Sequence, residues 1–501
     1  MLKSVVALFT FIGRPLLISC FDIRKFFDRE YLRDAMDAVH NAKVDPKVYR
    51  LWYLLNKNTR IKVKTPLGDT GFEEVGETIG QGAGGSGIVS AANLDGGVNS
   101  YFESSVDEIY YGNIRLQPLL YQDDIIRMSS SVSSARSGNT RIEIMANSKL
   151  LEMHPDKTVI ISIGNEHQTN QIDQELQRNP LKFNNFAIKK KSEEKWLGDK
   201  ISEGGLGKSV KETIKGRYGV TVAAIFEIRA IIKDYRMQSI GGLLTALDLW
   251  ESAVIPSLMN NAETWMEVCD ESIGKLEELQ NLFLRVILNV PLSTPKLALC
   301  WDTGTTPMSH RISQKKLDFV NIIKHQDKDV LSRQIFDEQV RLKLPGLAKE
   351  CEDICQKWGL KNIIENEVPV KEWKRTIKKA SREQIEKEMK AKMNTSKLKE
   401  MSEGSFGMKD YIKDKVIENA RLMFRIRSHM VDVKANFKGD PRYSRELWLC
   451  DGCQKTVETQ THVIFCPAYT KLREGRDLQS DKDLVNYFRE VLSIRQNLIG
   501  L

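Results

Sequence analysis

Between residues 15 and 200 the chain alternates two kinds of pattern. LLISCF (16–21), IRLQPLLY (114–121) and TVIISIG (158–164) are short apolar runs bounded by charged or turn-forming residues, and they predict β-strands. REYLRDAMDAV (29–39) and IEIMANSKLLEM (142–153) carry helical spacing instead. The mixture predicts an α+β domain. From about 205 to 435 the pattern turns helical. In IGKLEELQNLFLRVIL (273–288), Ile273, Leu276, Leu279, Phe283, Val286 and Ile287 fall on one face, as in a helix laid on a core. Residues 371–403 hold eleven Lys/Arg against six Asp/Glu, a surplus of five. Such a stretch is read as a solvated helix or linker first and a nucleic-acid contact second.

A chain of 501 residues exceeds what one hydrophobic core usually serves, so about three domains are expected. Lys and Arg number 75 against 67 Asp and Glu, a net charge of +8, which permits a nucleic-acid partner without requiring one. Five of the eight cysteines (Cys20, Cys269, Cys300, Cys351, Cys355) are scattered and three (Cys450, Cys453, Cys466) are clustered. That usage predicts a reducing compartment and one local metal site, with Cys351 and Cys355 as buried or free thiols. MLKSVVALFTFIGRPLLISC imitates a signal peptide, but Arg14 and Pro15 interrupt it and PLLISCFD continues into a strand. No run reaches the roughly 18 apolar residues of a membrane span. The expectation is a soluble intracellular protein, neither secreted nor membrane-bound.

GQGAGGSG (80–87) is poor enough in side chains to press backbone against a ligand. Gly80, Gly82 and Gly85 satisfy G-x-G-x-x-G, with Glu103 about 20 residues on, so a dinucleotide cradle is one reading. A Walker loop is excluded because no lysine follows.

LLYQDDIIRMSS (119–130) reads as a buried hairpin with Gln122, Asp123 and Asp124 at its tip. Neighbouring strand residues face opposite ways, which makes Asp123 the safer ligand of the two. Paired carboxylates on an apolar hairpin call for a cation, unless the tip is an ordinary exposed turn. PLLISCFDIRKFFDRE repeats the design, with an apolar strand ending at Asp22 and a turn into a helix carrying Phe26 and Phe27. Three carboxylates at strand ends are what two Mg²⁺ ions in phosphoryl transfer require. Near the end of the chain, Cys450-x2-Cys453-x8-His462-x3-Cys466 has the spacing of a tetrahedral Zn²⁺ site. Four protein ligands leave no open position, so the expected zinc is structural.

In this order the pieces resemble the reverse transcriptase of a non-LTR (LINE-like) retrotransposon. FDIRKFFD is similar to motif A of that family, GQGAGGSG to motif B, YQDD to motif C, EMHPDKT to motif D and KWLGDKIS to motif E. The resemblance implies a right-hand polymerase palm over 1–203, a helical thumb over 204–300, a helical connector with a charged linker over 301–435, and a zinc-knuckle region over 436–501. It implies that Asp22, Asp123 and Asp124 hold two Mg²⁺ ions beside the Ile23 carbonyl. It gives Phe27 the role of excluding a ribose 2′-hydroxyl, sets Gln81 and Gly82 beside the incoming nucleotide, and has Lys157 protonate the leaving pyrophosphate. The implied partners are template RNA, primer or target DNA and dNTPs, in nucleus and cytoplasm. Lys455, Lys471, Arg473 and Arg476 fit nucleic-acid contact around the knuckle.

Two positions depart from the family pattern: Gly87 follows Ser86 where proline is usual, and Gln122 replaces a smaller residue. Motif A also begins close to the first residue, which predicts a truncated chain with its fingers largely missing. Only 35 residues follow Cys466 here, so no nuclease is expected in that stretch. The implied activity is RNA-directed DNA synthesis by target-primed reverse transcription. A catalytically inactive nucleic-acid-binding remnant is the alternative, and a dinucleotide enzyme the third reading.

Overall fold

The computed structural model describes residues 1–57, 59–74, 86–102, 109–233, 242–360, 368–437 and 448–499. Residues 80–85 of the glycine stretch, with Gln81 and Gly82, lie outside the described residues. The chain divides into two compact units. One comprises Met1–Glu212, Trp265–Glu267 and Gln326–Glu350, the other Thr213–Thr264, Val268–His325 and Cys351–Leu501.

The first unit is built on a five-stranded sheet. Strands β1 (Leu16–Asp22), β2 (Leu119–Tyr121), β3 (Asp124–Ser129), β4 (Val159–Ile163) and β5 (Lys189–Lys190) lie in the order β5-β4-β1-β3-β2. Neighbours run antiparallel except β4 and β5. β1 is central, and its first six residues are buried. A strand covered on both faces has no solvent side, which is why LLISCF is apolar without alternation. The register pairs Leu17 with Ser129, Phe21 with Ile125 and Asp22 with Asp124. Helix Val132–Ser148 packs Val132, Ala135, Ile142, Met145 and Ala146 into the cluster that holds Leu17, Phe21 and Ile125. Strand alternation then turns Asp22 and Asp124 to the sheet's opposite face.

Two predicted elements end earlier than their patterns. The run 114–121 is divided at Gln117 and Pro118 into Ile114–Leu116, paired with Ile109–Tyr111, and β2. Proline donates no ladder hydrogen bond, so one strand cannot run through it. The helix expected through Met153 stops at Ser148, where Leu150 takes φ 56° and the Leu151 N–H returns to the Ala146 carbonyl at 2.8 Å. KWLGDKIS (195–202) falls in the hairpin Glu193–Trp196 and Asp199–Ser202. Leu197 and Gly198 at φ 48° and 87° supply the positive φ pair of a type I′ turn.

The second unit is helical among its described residues. Helix Asp270–Leu288 buries Leu276, Leu279, Phe283 and Ile287, and Trp250 stacks on Phe283 with ring centroids 4.4 Å apart. The charged stretch becomes helix Val370–Met393, which buries Trp373, Ile377, Ile385, Met389 and Met393. Trp373 Nε1 donates to the Leu317 carbonyl at 3.0 Å. Asp302 is fully buried, and its carboxylate accepts from Arg427 Nε and the Tyr411 hydroxyl, each at 2.7 Å. Cys351 and Cys355 are buried, as expected. Among the described residues no helix is long and apolar enough to cross a membrane.

Candidate functional site

Strand β1 carries Asp22 to its end, and the β2–β3 hairpin brings Asp124 directly across from it. Gln122 and Asp123 form the two-residue turn, with Gln122 at φ 55°, the left-handed value such turns need at the first position. Directly opposed residues of an antiparallel ladder share a face. Asp124 is therefore the cross-strand partner of Asp22, and Asp123 sits at the turn, a distinction that alternation alone left the other way round. The Ile23 N–H donates to the Asp123 carbonyl at 3.2 Å and ties the exit of β1 to that turn.

The segment EMHPDKT (152–158) closes the third side. The His154 N–H donates to the Asp22 carbonyl at 2.8 Å, and the Lys157 and Thr158 N–H groups fold back onto the His154 carbonyl at 3.2 and 2.9 Å. This turn delivers the Lys157 ammonium to 3.1 and 3.2 Å from the two Asp22 carboxylate oxygens. The three aspartates are half-buried. Burial, then the charges of Asp123 and Asp22, push the Asp124 carboxyl up to about 6. Burial, then the Asp22 charge, also raises Asp123, while Lys157 opposes both shifts. Crowded carboxylates that resist ionisation, offering oxygen donors alone, suit a hard divalent cation.

Phe27 is half-buried on the short helix Phe26–Arg29, where it packs against both the sheet core and the small cluster of Ala35, Val39 and Val89. Its ring centroid lies 5.5 Å from that of Phe26. The two departures from the motif pattern meet: a Cβ built on Gly87 would lie 2.8 Å from Gln122 Nε2. The larger side chain at 122 occupies the space left free at 87.

The Cys450, Cys453, His462 and Cys466 donor atoms all lie within 4.8 Å of one another. Among the described residues no other group of three or more potential ligands, the aspartates included, closes so tightly. Cys450 and Cys453 bracket a tight turn ending at Gln454 (φ 56°). His462 lies in helix Gln460–Phe465, capped by Thr459, and Cys466 ends it. Cys450 Sγ is 3.7 Å from Cys466 Sγ, and Cys453 Sγ is 3.4 Å from His462 Nε2. Tetrahedral bonds of about 2.3 Å to sulfur and 2.0–2.1 Å to nitrogen would set such pairs about 3.8 and 3.5 Å apart, so the four donors fit zinc.

The cluster is held from behind. Cys450, Cys466, Tyr469, Tyr487 and Phe488 share a core with Leu422 and Ile426 of helix Ile417–Arg427. Glu458, fully buried, pairs with Arg495 at 3.0 Å and accepts the Asp451 N–H, while Lys434 pairs with Asp451 at 2.5 Å. Nothing in the local spacing signalled these groups. Two of the cations expected to meet nucleic acid are engaged otherwise. Arg473 donates to the Ile464 and Cys466 carbonyls at 3.0 and 2.8 Å, and Arg476 pairs with Glu490 at 2.6 Å. Lys455 and Lys471 remain exposed.

No family model matches the chain, and no curated protein does. Among solved structures it is similar to telomerase from Candida albicans in complex with the TWJ fragment of telomeric RNA, at 12% identity and TM-score 0.32 over 67% of this chain and 48% of that one. It is likewise similar to telomerase from Candida tropicalis with the TWJ fragment (12% identity, TM-score 0.28, 64% and 48%) and to the apo form (12%, 0.30, 67% and 55%). The chain spans about half the length of the solved chains it matches.

Proposed function

We propose that this chain is an RNA-directed DNA polymerase of the non-LTR retrotransposon kind, working by target-primed reverse transcription. In this reading residues 1–203 form the palm, 204–300 the thumb, 301–435 the connector and 436–501 the zinc-knuckle region. The observation that carries it is the pairing of Asp22 with Asp124 across the central strands, with Asp123 at the adjoining turn and Lys157 on Asp22.

Asp22, Asp123 and Asp124 would hold two Mg²⁺ ions, which supply activation of a primer 3′-hydroxyl and stabilisation of the leaving pyrophosphate when bound. Lys157 is tethered by its turn within reach of the same carboxylates and would give its proton to the pyrophosphate oxygen. Phe27 would limit the space at the sugar, with Ile23, Gln81 and Gly82 beside the nucleotide. Cys450, Cys453, His462 and Cys466 would hold one structural zinc, and the folded knuckle would meet template RNA or target DNA through exposed cations such as Lys455 and Lys471.

The test is RNA-templated primer extension by the zinc-loaded chain with Mg²⁺ and dNTPs, compared with Asp123→Ala. Extension that the substitution abolishes is the expected result. Failure of both folded chains to extend a primer overturns the polymerase reading and leaves a nucleic-acid-binding protein.

A further inference from the structure

The charged stretch 371–403 does more than face solvent. Helix Val370–Met393 turns Lys374, Lys378 and Arg382 toward a cleft of about 830 Å³, whose other walls come from helix Met308–Lys324, from Gly304 and Thr306 just before it, and from the segment 405–410. The three cations recur every fourth residue, about 6 Å apart along the helix axis. Lys409 adds a fourth. Against these four stand Asp318, which feels Lys374 and Lys315, and Asp410, already paired with Lys413 at 2.7 Å. Arg382 Nη2 donates to the Phe406 carbonyl at 2.8 Å and fastens the segment to the helix, so the cleft has a fixed wall.

Elsewhere on the same helix the cations have acidic neighbours: Lys379 with Glu383 at 3.9 Å and Lys390 with Glu386 at 2.8 Å. Among the described residues Lys374 and Lys378 are exposed and form no ion pair within 4 Å. Two lysines one helical turn apart, neither in an ion pair, along one wall of a cleft match neighbouring phosphates of a chain. The aromatic ring that lines the cleft, Phe406, is 5% exposed and offers no face for base stacking.

We propose that this cleft binds the phosphodiester backbone of a single-stranded nucleic acid without reading its sequence. None of the residues lining it belongs to the aspartate or Cys/His groups, and its test needs neither polymerisation nor Mg²⁺. Binding of fluorescent 12-nucleotide strands, RNA in one arm and DNA in the other, is measured by anisotropy across a salt series. The protein is the full zinc-loaded chain.

The Lys374→Gln/Lys378→Gln chain is expected to bind about tenfold more weakly at low salt, with the slope of log affinity against log salt shallower by about 1.4, or 0.7 for each lost phosphate contact. Lys379→Gln/Lys387→Gln, on other rows of the helix, removes the same charge and is expected to change affinity less than twofold. Lys374→Arg/Lys378→Arg keeps the charge and should keep the binding. The arm that shows the slope change identifies the strand. Equal losses from the two Gln pairs would mean diffuse charge alone and would overturn the proposal, as would an unaltered slope in both arms.

Discussion

Gly138→Ala tests how the sheet behind the aspartates is held. Gly138 is buried in helix Val132–Ser148. Facing it is Arg127, on β3 three residues after Asp124 and 5% exposed, whose Nη1 donates to the Ser129 hydroxyl and, at 2.9 Å, to the Ser134 carbonyl. A Cβ at 138 would overlap the guanidinium, with Cζ, Nε and Nη1 as its nearest atoms. Two effects then oppose each other. Alanine is the better helix former by about 1 kcal/mol. Displacing the guanidinium costs about 1.5–3 kcal/mol for each charged hydrogen bond lost, and overpacking of a tight interior adds about 1–3 kcal/mol. One broken bond already outweighs the propensity gain, so the net expectation is a loss of about 2–4 kcal/mol in a domain whose total is of order 5–15 kcal/mol. Hydrogen exchange of the β1 and β3 amides reads this locally, which matters in a chain of two units. In an Arg127→Met background the overlap disappears, and the same substitution should cost less than about 1 kcal/mol, a coupling of about 2 kcal/mol. A Gly138→Ala chain as stable as the wild type, or an undiminished cost in the Arg127→Met background, would refute the steric argument.

The hairpin and the residue after Ser86 should be coupled in the same way: in the proposed primer-extension assay Gly87→Ala is expected to be slower than the wild type, and Gln122→Ala in the same chain to restore part of the loss, whereas simple additivity of the two effects would show that the contact is idle. Metal analysis should find one zinc per chain; Cys466→Ser or a strong chelator removes it and strips exchange protection from the described part of helix Asp481–Ile499, leaving β1 and β4 protected. His310 gives the second unit an acid-side weakness. Its ring, 5% exposed and stacked on Trp358, is pulled by burial from the ordinary 6.5 to about 4, even with Glu388 at 3.7 Å. A histidine depressed in the folded state leaves the unfolded chain binding more protons between those values, so stability is whole above pH 6.5 and falls as pH drops toward 4. From pH 7 to pH 5 the loss is about 2 kcal/mol, and His310→Phe should flatten that limb of a urea titration; an unchanged limb would assign the pH dependence to other groups.

What was legible in the sequence is what local spacing encodes. LLISCF could be read as a strand because a run buried on both faces needs no alternation, and the Cys/His site because all four ligands fall within seventeen residues and their turns are local. The choice between Asp123 and Asp124 was not of that kind. Alternation states that the two point apart, but which of them faces Asp22 is set by the register with a strand a hundred residues away. Lys157 likewise reaches Asp22 only because the His154 N–H is anchored on the Asp22 carbonyl, a contact across 132 positions that no spacing records. Cations were the least legible of all. Arg473 and Arg476 are spent on carbonyls and Glu490, Arg495 is consumed by buried Glu458, and Lys374 and Lys378 stand open on a cleft, yet in sequence each is simply a positive charge. Composition counts charges, whereas a binding surface consists of those that folding leaves unpaired, and that remainder is fixed only once long-range packing has assigned the others. The +5 of residues 371–403 was therefore uninformative until the structure showed which of its lysines, Lys379 and Lys390, are held in ion pairs along the helix and which, Lys374 and Lys378, line a cleft.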